Sequence, residues 1–141
     1  MYLLTFFTAL LLAGAPAPQT LNLTVTTTVD RAGEIRLAVY DSKDGFQQRA
    51  EVLSVVRQTS GNQLTFSVEL PAAGDYVLAA FHDLNGNGEL DTNMFGVPTE
   101  PYGFGKVPPT KWREPEFGEI AVSVTEGGGK AEIALKKWKE Y

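Results

Sequence analysis

From residue 21 onward, apolar side chains recur at alternate positions. In LNLTVTTTV (21–29) Leu21, Leu23, Val25 and Val29 are apolar and the rest are Asn or Thr. The pattern returns with Ile35, Leu37 and Val39, with Leu64, Phe66, Val68 and Leu70, with Ile120, Val122 and Val124, and with Ala131, Ile133 and Leu135. Alternation of this kind puts one face of a strand on a core and the other in water. YVLAAF (76–81) is apolar on both faces and predicts a central strand covered on both sides. With VLSVV (52–56) these runs predict about seven short strands. DRAGE, SGN, PAAGD and EGGGK punctuate them as turns. SKDGFQQRAE (42–51) has room for one helical turn, and no long amphipathic helix is predicted. Phe66, Val68, Tyr76, Leu78 and Val122 are the expected core.

At 141 residues the chain is one domain by size. The pattern predicts a single antiparallel β-sandwich over residues 20–141, of immunoglobulin or prealbumin type. One stretch breaks the period. Residues 83–117 hold Pro98, Pro101, Pro108, Pro109 and Pro115, and the aromatics Phe95, Tyr102, Phe104, Trp112 and Phe117. A loop of this length in a compact domain is functional or internally organised. The aromatics are expected to anchor it on the sheet, and the alternative is that they line a small-molecule groove.

The loop begins with DLNGNGELDTNM (83–94), which aligns with a twelve-residue EF-hand calcium loop. Asp83, Asn85, Asn87 and Asp91 fall at positions 1, 3, 5 and 9, and Gly88 at the sharp bend of position 6. The Glu89 carbonyl would serve position 7. Position 12 is Met94 in place of a bidentate Glu, so Glu100 is the candidate to close the shell. The cation expected on this oxygen-only donor set is calcium. An Asx-rich turn leaving a strand accounts for the same residues without a metal, since Asn-Gly pairs are frequent turn signals. His82 precedes Asp83, and adjacent strand residues point to opposite faces. A hydrolase using His82 as a base is the remotest of the functional readings.

Composition narrows the chemistry further. There is no cysteine, which removes disulfides, thiolate nucleophiles and Cys-based zinc sites. A single histidine argues against a His-rich metal site. The net charge of −5, with basic residues clustered only at Lys136, Lys137 and Lys139, argues against nucleic acid as a partner. The N-terminus carries an uncharged apolar run from Tyr2 to Ala13, followed by Ala15 and Ala17. Residues 1–17 are expected to be a signal peptide cleaved between Ala15 and Gln19, with an uncleaved membrane anchor or a buried first strand as the alternative. The mature chain is then a periplasmic or extracellular monomer without a membrane span.

Gly74 and Tyr76, then His82, Asp83, Asn85, Asn87, Gly88, Leu90 and Asp91, then Gly96, Pro98, Glu100, Gly103 and Phe104 together resemble the motif run of the domain-of-unknown-function 2141 family, small exported bacterial proteins. The likeness continues through EPEFGEIAVSV. It implies an exported β-sandwich and brings no activity with it. DLNGNGELD is also similar to calcium-stabilised sandwich repeats of bacterial surface adhesins. The leading expectation is a non-enzymatic binding or structural module in which calcium orders the long loop for an unidentified protein or small-molecule partner. A periplasmic small-ligand carrier or accessory protein using the aromatic loop is the alternative.

Overall fold

The computed structural model describes residues 14–141, so the expected leader lies largely outside the described residues. Among the described residues eight strands are formed: β1 (Gln19–Thr27), β2 (Gly33–Tyr40), β3 (Leu53–Thr59), β4 (Gln63–Leu70), β5 (Gly74–Asp83), β6 (Tyr102–Phe104), β7 (Val122–Val124) and β8 (Gly129–Leu135). Two short helices interrupt them, α1 (Lys43–Gln48) and α2 (Phe117–Ile120). Helix α1 starts where the Ser42 side chain accepts from the Gly45 amide, and it stops at Arg49, which has a left-handed backbone.

The strands make two sheets. One has the order β4-β1-β8 and the other β3-β2-β5-β6, with β7 pairing the beginning of β5. All pairings are antiparallel but one: β1 and β8 run parallel, from Leu21 opposite Gly129 to Thr27 opposite Leu135. Alternation within a strand says nothing about the direction of its neighbour, which is why that pair departs from the expected antiparallel order.

Between the sheets lie Leu21, Leu23 and Val25 of β1, Val68 and Leu70 of β4, and Ile133 and Leu135 of β8. They face Ile35, Leu37 and Val39 of β2 and Tyr76, Leu78 and Ala80 of β5. Burying each Leu or Ile fully contributes about 1.5–3 kcal/mol. Phe66 and Val122, expected in this core, pack against it only partly buried.

Strand β5 is apolar on both faces because its outer face is covered too. Tyr40, Phe46 from α1, Val77 and Ile120 from α2 form a second, smaller cluster there. Strand β6 lies inside the stretch that shows no period. Tyr102 exchanges backbone hydrogen bonds of 3.0 Å with Lys136, tying this sheet to the end of β8. That approach needs Gly103, since a Cβ there would sit 2.5 Å from the Ala134 carbonyl oxygen.

Candidate functional site

His82 and Asp83 end β5 on opposite faces. His82 points between the sheets with no exposed surface, and its Nδ1 lies 3.1 Å from the Thr27 hydroxyl of β1. Its Nε2 has no hydrogen-bond partner among the described residues. A Cβ at Gly33 would come within 2.7 Å of that nitrogen, so glycine is what leaves the ring its place. Burial holds the imidazole below its ordinary pKa, against the opposing pull of the Glu100 carboxylate and the nearby Arg31 carbonyl.

Asp83 is equally buried but faces the outer side. Its Oδ1 accepts from the Gly86 amide at 2.8 Å, and its Oδ2 from the Gly88 amide at 2.8 Å and from Arg36 Nε at 2.9 Å. Burial alone would raise this carboxyl. The Gly88 and Gly86 amides and the guanidinium outweigh it and hold the group below its usual value. Gly86 and Gly88 both carry positive φ, 73° and 85°, which lets the chain curl back over the carboxylate. Arg36 reaches on to Glu34 with a 2.6 Å contact from its second nitrogen.

The end of the turn is fastened by Glu100, also buried, whose two oxygens accept from the Leu84 amide at 2.8 Å and the Asp91 amide at 3.2 Å. Thr99 returns two bonds to the Asp91 carbonyl, from its amide at 2.9 Å and its hydroxyl at 3.1 Å. Further out, the side-chain amides of Asn85 and Asn87 both donate to Asp91, at 2.6 and 2.7 Å. Their own oxygens accept from the Asn87 and Glu89 amides.

The six residues read as an oxygen cage therefore divide into two groups. Asp83 and Glu100 are turned inward and used on backbone amides, with Arg36 supplying positive charge to Asp83. Asn85, Asn87 and Asp91 converge at the surface, beside the backbone of Glu89. The donor chemistry of the outer group fits a calcium ion only if both amides rotate to present oxygen. Among the described residues, no three of His, Cys, Asp and Glu are gathered as a metal-holding group.

Beside this turn, the outer face of the β2–β5–β6 sheet is hollowed. Ala38 and Ala79 stand opposite each other in the β2–β5 register, and Ala79 is opposite Phe104 on β6. Around these two small residues rise Tyr40, Phe46, Phe81, Tyr102 and Phe104, with Leu90 and Gly88 of the long loop on one side and Arg49 and Glu114 on another. The volume of this open hollow is about 400 Å³.

Tyr102 and Phe104 are anchored as expected for loop aromatics, but Phe95 is 84% and Trp112 76% exposed. Trp112 instead packs edge-on against Trp138, with Lys111 Nζ 4.2 Å from the Trp138 ring centre. These border a second depression, of about 560 Å³, next to the hollow. Arg36, Ala38 and Ala79 were not singled out by motif. Their only trace in the sequence is that Arg36 and Ala38 occupy outward positions of an alternating strand.

The family model described as "Uncharacterized protein conserved in bacteria (DUF2141)" matches residues 23–132. The chain belongs to this family. The matched DUF2141 segment contains both groups of loop residues, Arg36 and the whole floor of the hollow. No curated protein and no solved structure matches the chain.

Proposed function

We propose that this DUF2141 protein is a non-catalytic β-sandwich binding module, with the hollow over Ala38 and Ala79 as its ligand site and the loop 84–100 as one wall. The carrying observation is the hollow itself. Its volume of about 400 Å³ lies within the range of small-molecule sites, and its lining is mainly apolar with a few polar groups at the mouth. The full burial of His82, out of reach of any substrate arriving from solvent, supports the non-catalytic reading. The apolar leader and the family likeness support a periplasmic or extracellular setting.

The convergence of Asn85 and Asn87 on Asp91 supports a second element of this reading. These three, with the Glu89 carbonyl, would hold calcium on the outside of the turn and stiffen the wall of the hollow. Asp83 and Glu100 would support them from within. With so few carboxylates the affinity would be on the order of 10⁻⁴–10⁻³ M, as in extracellular modules.

The test is a magnetic-resonance screen of the folded protein against small fragments of neutral, anionic and cationic character. The Ala38 and Ala79 methyl and amide signals should move for at least one class. If every bound fragment maps elsewhere, or none binds, the hollow is not the site.

A further inference from the structure

We propose that the hollow takes a neutral, ring-bearing, largely apolar molecule, an inference that rests on the binding-module reading above and specifies its ligand. The floor is two alanine methyls in register, and aromatic rings stand around it. Such a slot accepts a flat ring by burying apolar surface on both sides of it.

Charge decides against an ion. Both guanidiniums at the mouth already have partners. Arg36 is held between Asp83, at 2.9 Å, and Glu34, at 2.6 Å. Arg49 is paired with Glu114. A charged ligand of either sign would compete with one of these pairs. Opening the first would strand the fully buried carboxylate of Asp83. The polar atoms left for a ligand are uncharged. The hydroxyls of Tyr40 and Tyr102 both belong to lining residues and are uncharged donors. Burial raises the pKa of both phenols, which keeps them protonated and able to donate. One or two hydrogen-bond acceptors on an otherwise apolar ring system would match them.

A matched pair of fluorescent probes separates the possibilities: N-phenyl-1-naphthylamine, which is neutral, and 8-anilino-1-naphthalenesulfonate, the same ring system with a sulfonate. The wild-type protein should bind the neutral probe at least tenfold more tightly. Ala79→Leu, which fills the floor, should weaken that binding tenfold or more. Trp112→Ala, in the neighbouring depression, should leave it unchanged. If Ala79→Leu fails to fold, Ala38→Val makes the same test with a smaller addition. Equal or tighter binding of the sulfonate, lost on filling the floor, would overturn the neutral class and leave the binding site standing. No binding of either probe, or binding indifferent to both fillings, would remove the inference and the site together.

Discussion

Arg36 Nε donates to Asp83 Oδ2 over 2.9 Å, from the outward face of β2 to the last residue of β5. The contact joins the strand that floors the hollow to the turn that begins its wall. Asp83 is fully buried, whereas the Arg36 side chain keeps 29% of its surface open to solvent. The pair is therefore asymmetric, because removing the cation leaves a buried anion behind.

Arg36→Met should destabilise the protein, because it leaves the buried Asp83 carboxylate without its cation. Chemical denaturation would measure this. Asp83→Asn keeps the shape but weakens both amide contacts, and should raise hydrogen exchange at Gly86 and Gly88 before it affects the strands.

Glu100→Gln replaces one of two accepting oxygens with a donor that would face the Leu84 or Asp91 amide. A buried donor left unpaired costs about 1–3 kcal/mol. The loss should appear locally, as faster exchange and earlier protease cleavage between residues 84 and 100. The β1 and β8 amides should exchange as before.

His82 is the only histidine, and burial keeps its folded-state pKa below the ordinary value. The unfolded chain therefore takes up a proton near pH ~6.5 that the folded protein refuses, and stability falls as pH drops through that value. The decline ends once pH is below the folded-state pKa. Melting temperatures should fall between about pH 7 and 5, a window in which carboxylates hardly titrate. His82→Gln should flatten that segment of the profile.

Calcium should raise the melting temperature, by an amount equivalent to about 2.7 kcal/mol at a hundredfold excess over Kd. Asp91→Ala should abolish the shift. Calorimetry with calcium and magnesium decides the point. No heat and no shift with either ion would mean the turn is held by its hydrogen bonds alone.

The strands β1, β2, β4 and β8 were legible because each has one dry face and one wet face, so period two survives in Leu21, Leu23 and Val25 or in Ile133 and Leu135. Strand β6 was not, since three residues of Tyr-Gly-Phe carry no period and Gly103 answers to the Ala134 carbonyl of a distant strand. The Asx spacing marked the right turn. What satisfies Asp83 could not be read there, because Arg36 reaches it through the β2–β5 register, a long-range relationship that local sequence does not state. The hollow was illegible for the same reason, as Ala38 and Ala79 are ordinary until they are placed face to face.

The parallel neighbour of β1 makes the order of synthesis matter. Strand β1 is central to its sheet, yet one flank is filled only by β8, the last strand in chain order. Until residues 129–135 have emerged from the ribosome, Leu21, Leu23 and Val25 lack part of their cover and β1 keeps an open edge. Contacts between such distant segments form late and slowly. A fragment ending before β8 would offer that edge to other chains and should aggregate rather than fold.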